Sequence, residues 1–273
     1  MPWCTGEFGN RLWYEESGTG TPVVFIHGWC MSSAVWEQQQ GLSDYCRVIA
    51  LDLRGHGKSS AAVDGFSIKD CAADIARLFD ALDLQNALLA GWSLGSLIAL
   101  ESFPLLRKRI SGLVLIAATP RFTEGGGFPY GLSQIEAQGM ARKVQRNMRR
   151  ALDGFIGRMF ANGELGESSR ASTIQDLLAT IALPTTAVAL QALEALVEAD
   201  LRDRLNLIDL PTLIMHGDRD VICLQQASEY LAQRIPRARQ VLFAGCGHAP
   251  FLTQSNRFNA CLEEFRGMVS VVH

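Results

Sequence analysis

"ALLAGWSLGSLIAL" (Ala87–Leu100) decides how the rest of the chain is read. "ALLA" is a short continuous apolar run of the kind that forms a strand covered on both faces. "SLIAL" resumes with room for a helix, and Ser93 stands in the turn between them. A strand-to-helix turn tight enough to expose one side chain at its tip presses backbone against backbone on both sides. Gly91 and Gly95, two residues before and two after Ser93, relieve those clashes. The G-x-S-x-G pattern therefore predicts a nucleophile turn, with the hydroxyl clear of the carboxyl edge of a sheet. The amide of Leu94 would open the following helix where an oxyanion would form.

Working outward, similar runs recur with helix-length segments between them: "VVFI" (Val23–Ile26), "RVIAL" (Arg47–Leu51), "LVLIA" (Leu113–Ala117), "TLIM" (Thr212–Met215) and "QVLF" (Gln240–Phe243). Strand and helix alternate, which predicts a mainly parallel sheet in an α/β fold, with an antiparallel start around Arg11–Gly18. From 121 to 204 the rhythm breaks, and only helical patterns appear. That is too long for a plain crossover. We expect a core of residues 1–120 and 205–273 and an inserted helical lid of residues 121–204.

A serine hydroxyl needs a base, and five histidines compete. His248, in "FAGCGHAPF" after the strand "QVLF", leaves the sheet at the same edge as Ser93 and is the chosen base. His27 in "FIHGW" sits in a loop better suited to supplying amides; His56 and His216 read as ordinary loop residues; His273 is terminal and expected to be mobile. The base needs a carboxylate to fix its tautomer. Of the two aspartates in "HGDRDVI", Asp220 has the reach toward His248, whereas Asp218 is expected to cap the turn. The second oxyanion amide is assigned to Trp29, with Gly28 allowing an unusual backbone path.

The chain has 273 residues, 48% of them hydrophobic, with a net charge of −3, so nothing in its bulk charge calls for nucleic acid or an anionic membrane as partner. No apolar run reaches the length of a membrane span, and "MPWCTGEFGN" lacks the layout of a secretion signal. Seven scattered cysteines with no C-x-x-C pair read as reduced thiols of a cytoplasmic protein, without a zinc site, and no cofactor is expected. "DLRGHGKSS" ends like a phosphate-binding loop, but Asp52 stands where that loop needs its first glycine.

Together "FIHGW", "LDLRGHGKS", "GWSLGS", "HGDRDVI" and "GCGHAPF" resemble the α/β-hydrolase superfamily over nearly the whole chain. Within it, "AGWSLGSLIAL", "AATPRF", "ALPTTAVALQALEALVEADLR" and "GHAPF" look most like the pimeloyl-[acyl-carrier protein] methyl ester esterases of biotin synthesis. The resemblance implies a Ser93–His248–Asp220 triad, oxyanion amides at Trp29 and Leu94, and a serine esterase acting on a carboxylic methyl ester. Two departures stand out: Ser96 where a glycine is usual, and the glycine-heavy "EGGGFPYG" after Arg121. The same fold also hosts broad carboxylesterases, carbon–carbon bond hydrolases and hydrolase-derived ligand receptors, which are the alternative readings. Relatives with an aspartate nucleophile are disfavoured by Ser93.

The lid carries a further pattern. At about 100° per residue, Val144, Met148, Ala151, Leu152 and Phe155 share one side of a helix. Arg142, Lys143, Arg146, Arg149 and Arg150 share the other. The apolar stripe is expected over the pocket, with Trp29 and Phe155 touching substrate and the basic face outward. The resemblance implies an acidic acyl-carrier protein as partner, docked by Arg142, Arg146, Arg149, Arg150 and Arg158, beside small esters as simpler substrates.

Overall fold

The computed structural model describes residues 2–60, 65–166 and 169–270. Its sheet follows from the apolar runs. β3 (Pro22–Ile26), β4 (Arg47–Leu51), β5 (Ala87–Trp92), β6 (Ile110–Ile116) and β7 (Thr212–Gly217) are buried along almost their whole lengths, as strands covered on both faces must be. β8 (Ala238–Phe243) is the more accessible far edge. β1 (Trp3–Thr5), too short to leave a pattern in sequence, pairs antiparallel with β2 (Arg11–Ser17), and β2 pairs antiparallel with β4. From β4 onward every pairing is parallel, in the order β1-β2-β4-β3-β5-β6-β7-β8.

That order places the site. After β3 the chain crosses to β4 on one side, then returns to β5 on the other, so the connections diverge between β3 and β5. In open α/β sheets the crevice beyond the carboxyl ends of such strands is where ligands bind. The β3 and β5 exits carry His27–Trp29 and Ser93.

The helices fill both faces. α1 (Ile68–Ala81) starts where the Ser67 side chain accepts from the Asp70 amide, and it buries Ile68, Cys71, Ile75, Leu78 and Phe79. α2 (Leu94–Leu106) is apolar on nearly all sides and buried accordingly. Between β6 and β7 lie α3 (Gln134–Arg146), α4 (Met148–Arg158), α5 (Ser169–Thr180) and α6 (Thr186–Glu198), with only isolated bridges among the described residues there. α7 (Gln225–Arg234) separates β7 from β8, and α8 (Pro250–Thr253) and α9 (Ser255–Ser270) follow β8. All seven cysteines are unpaired. No helix among the described residues is long and apolar enough to cross a membrane.

One expected helix is two. The apolar stripe from Val144 to Phe155 does not lie on a continuous helix, because Asn147 adopts an extended conformation (φ −161°, ψ 95°). It ends α3 and caps α4, its side chain accepting from the Arg150 amide at 2.9 Å. A short polar side chain that bonds locally competes with helix continuation, and here it wins.

Candidate active site

Ser93 takes φ 55° and ψ −114°, a left-handed conformation that L-residues rarely hold. Two contacts fix it: its amide donates to Ile116 O at 2.9 Å, and Ser96 Oγ donates to its carbonyl at 2.6 Å. Ser96, the residue standing where glycine is usual, thus braces the turn. The flanking glycines answer to space rather than to φ. A Cβ at Gly91 would run into the carbonyl of Gly95, and one at Gly95 into the carbonyls of Ile26 and His27. Leu94 is the first residue of α2, so its amide is one of those a helix leaves without an intrahelical acceptor.

The loop after β3 differs from expectation in one detail. The positive φ falls on Cys30 (56°), not on Gly28. Gly28 is needed because a Cβ there would press on the Trp92 indole, 3.1 Å from its ring. Trp29 is buried, and its indole N–H donates to Ala189 O of α6 at 2.9 Å.

Asp220 and His248 meet across the sheet edge. His248 Nδ1 donates to Asp220 Oδ2 at 2.7 Å, and both side chains are fully buried. The other carboxylate oxygen accepts from the amides of Ile222 (2.8 Å) and Cys223 (3.0 Å). Burial alone would raise the Asp220 carboxyl, but the adjoining His248, then His216 and the Ile222 amide, outweigh it and hold it below the ordinary carboxylate range. Trp92, beside Ser93 in sequence, completes the arrangement: its indole N–H donates to His248 O at 2.8 Å.

The Ser93–His248 hydrogen bond expected from sequence is not made. His248 Nε2 is buried without a hydrogen-bond partner, and Ser93 instead meets the Cys223 thiol, which burial pushes well above its ordinary pKa and keeps protonated. A hydroxyl swings between neighbours by rotation about χ1, and such bonds tighten when substrate arrives. The arrangement can therefore present an imidazole nitrogen beside a hydroxyl and a helix N-terminus, the set that acyl transfer needs.

The remaining histidines have other work. His27 accepts from the Leu53 amide at 3.0 Å. His56 packs 5.3 Å from His27. His216 is not a loop residue: it is the penultimate residue of β7, buried 3.4 Å from Asp220 Oδ2, and donates through Nε2 to Cys223 O at 2.8 Å. Burial lowers its pKa despite Asp220, so it holds the Asp220 loop as a neutral donor. Asp218 does not cap its own turn; it accepts from the Gly245 amide at 2.7 Å and ties the β7 and β8 loops together. His273 lies outside the described residues. Among the described residues no cluster of His, Cys, Asp or Glu could hold a metal ion.

Beside this site is a cavity of about 550 Å³. Trp29, Met140, Val144, Ala151 and Phe155 give it apolar walls, and Lys143, Arg146, Arg150 and Arg158 surround them. Phe155 bridges cavity and site, 5.1 Å from the Trp29 ring and 6.5 Å from His248. The break at Asn147 reorients α4, which carries Arg150 and Arg158. Two of the arginines expected to face outward, Arg146 and Arg150, thus border the cavity, together with Arg158. Arg142 and Arg149 do not: Arg142 donates to Gln138 and Arg149 pairs with Asp153.

Comparison with known proteins agrees with this architecture. The α/β-hydrolase-fold family profile matches residues 21–255. The chain is 33% identical over 263 residues to a pimeloyl-[acyl-carrier protein] methyl ester esterase of Nitrosomonas europaea, covering 91% of this chain and 97% of that one. Among solved structures, an esterase from Exiguobacterium antarcticum superposes with a TM-score of 0.89 at 30% identity, covering 97% and 98% of the two chains. A bromoperoxidase from Bacillus anthracis gives 0.86 at 30% identity, covering 94% and 95%. With its sheet order, its serine turn and its relatives in agreement, the chain belongs to the α/β-hydrolase family, as a carboxylic ester hydrolase.

Proposed function

We propose that the protein hydrolyses the methyl ester of a pimeloyl group carried on acyl-carrier protein. The observation that carries this reading is the cavity beside the site, where an apolar floor at Trp29 and Phe155 meets a rim of Lys143, Arg146, Arg150 and Arg158. An aliphatic chain suits the floor, and an acidic carrier with its phosphate-bearing arm suits the rim. The Nitrosomonas relative is named for this substrate and supports the same choice. In this reading residues 121–204 act as a lid over the core formed by 1–120 and 205–273.

In the proposed mechanism Ser93 Oγ bonds to the ester carbonyl carbon while its proton passes to His248 Nε2. The carbonyl electron pair moves onto oxygen, which the amides of Trp29 and Leu94 stabilise. Asp220, held ionised, balances the imidazolium through the 2.7 Å hydrogen bond to Nδ1. Collapse breaks the carbon–methoxy bond, and His248 gives its proton to the departing methanol. Water then repeats the sequence on the acyl-serine, with His248 as base, and frees the acid.

The test compares kcat/KM for the carrier-linked methyl ester with that for a free methyl ester of the same acid. Reversing Arg146, Arg150 and Arg158 together to glutamate should lower the carrier-linked value about 10-fold or more, since each exposed charge steers a charged partner. The free-ester value should stay within about 2-fold. Equal losses, or equal rates on both esters in the unsubstituted protein, would favour a broad carboxylesterase instead. Ser93→Ala is the control that must be inactive on both.

A further inference from the structure

The segment "ANGELGESS" after α4 reads in sequence as a separator, yet its glutamate touches the loop of the proposed base. We propose that Glu164 is a positioning residue: it clamps the His248 loop to the α4–α5 connection and thereby sets where the imidazole stands. This rests on the reading of His248 as the base.

Glu164 Oε2 accepts from the Ala161 amide at 2.6 Å and from the Gly247 amide at 2.7 Å. Its Oε1 accepts from Thr253 Oγ1, also at 2.6 Å. One carboxylate thus joins three points: its own turn, the residue before His248, and the end of α8 after it. Bonds to an ionised acceptor are short and strong. A second tie runs alongside, because the His248 amide donates to Met159 O at 2.6 Å. The two segments lie so close that a Cβ on Gly247 would run into Met159 O and stand 2.9 Å from Ala161 N. Glycine at 247 is therefore a condition of the contact.

Trp92 holds the carbonyl of His248 from the sheet side, and Asp220 holds its ring. The β7 loop holds the His248 loop through Asp218 and Arg219, and the helical segment between β6 and β7 supplies further anchors. Both carboxylate oxygens of Glu164 are taken up by the Ala161, Gly247 and Thr253 donors, so its proposed effect on the reaction runs through the loop. Displacement of a reacting group by about 1 Å costs on the order of 100-fold in rate.

The experiment measures kcat and KM for p-nitrophenyl acetate, together with the low-field proton resonance of the His248 Nδ1–H. Glu164→Ala should lower kcat about 10- to 100-fold, leave KM within about 2-fold, and shift or broaden that resonance. Glu164→Gln keeps an acceptor for both amides and should restore kcat to within about 3-fold of the unsubstituted protein. Should the alanine variant not fold, Glu164→Asp, one methylene shorter, carries the test with a kcat loss of about 5-fold or more at unchanged KM. Unchanged kcat and resonance in the folded variants would overturn the proposal, as would a loss seen only in KM. His248→Ala is measured beside them. If it retains activity, the base assignment fails and this proposal with it; if it is inactive while Glu164→Ala is not, the clamp alone is refuted.

Discussion

The sheet edge and the first two helices of the segment between β6 and β7, α3 and α4, are built on opposite terms. At the edge, β5 and α2 bury nearly every residue, and even the one ion pair beneath the neighbouring loop, Arg54 with Asp74 at 2.7 Å, is 1% exposed on both sides. In the segment, α3 buries only Ala137 and Val144, and α4 only Leu152. The charged residues of α3 and α4 face outward or border the cavity. Groups that must stand within a fraction of an ångström of one another are set by dense packing, which resists displacement. Groups that meet a variable partner sit on thinly anchored helices, where change costs little. On the proposed function the difference separates reaction from recognition, and each half makes its own predictions.

The largest effect is expected at Asp220. Its Oδ1 position already receives two amide N–H groups, so the oxygen of an Asp220→Asn amide must stay there. The NH2 group then faces His248 Nδ1, and the imidazole has to place its proton on Nε2, where the lone pair is needed. The wrong tautomer should lower kcat/KM on p-nitrophenyl acetate about 10⁴-fold with the fold intact by circular dichroism. A loss of less than about 10-fold would break the assignment of reaction to this edge.

Glycines sharpen the same comparison through stability. Gly91→Ala drives a methyl group into the Gly95 carbonyl, backbone against backbone, and should cost about 3 kcal/mol or more in urea unfolding. A methyl group at Gly139 of α3 would meet nothing within 4 Å, and the backbone there has no positive φ. Gly139→Ala should therefore stabilise, by about 0.5–1 kcal/mol, through helix propensity and a less free unfolded chain. Similar outcomes at both positions would erase the distinction between the two regions.

What was legible in sequence follows the same division. Continuous apolar runs gave away the strands because burial on both faces leaves no alternation to confuse them. Ser93, Asp220 and His248 could be proposed as a set because each follows a strand run, and parallel strands end at one edge of the sheet. The break at Asn147 was hidden: the apolar period runs through it, and only the local capping geometry ends α3. The positive φ at Cys30 and the contact between Ser93 and Cys223 depend on packing that no local pattern encodes. Glu164 reaches Gly247 across 83 residues of chain, and its neighbours in sequence look like any polar turn. Long-range polar contacts of this kind have no periodicity to read.

The smallest prediction concerns acid, and it too divides the molecule. Residues 121–204 contain no histidine, so any histidine-linked acid sensitivity must come from the residues on either side of them. Burial lowers His27 from 6.5 to about 4, outweighing its hydrogen bond to Gly28 O. Burial, with the nearby His27 second, lowers His56 to about 3. In the unfolded chain both titrate near 6.5, so below that pH the unfolded state binds protons that the folded state refuses. Stability is fully present above about pH 6.5 and is lost as pH falls toward 4 and 3, at about 1.4 kcal/mol per pH unit for each group. His56→Gln removes one of the two, and the unfolding free energy from urea titrations between pH 6 and pH 5 should then fall less steeply by about that amount. An unchanged slope would mean that the acid response arises elsewhere than at these buried histidines.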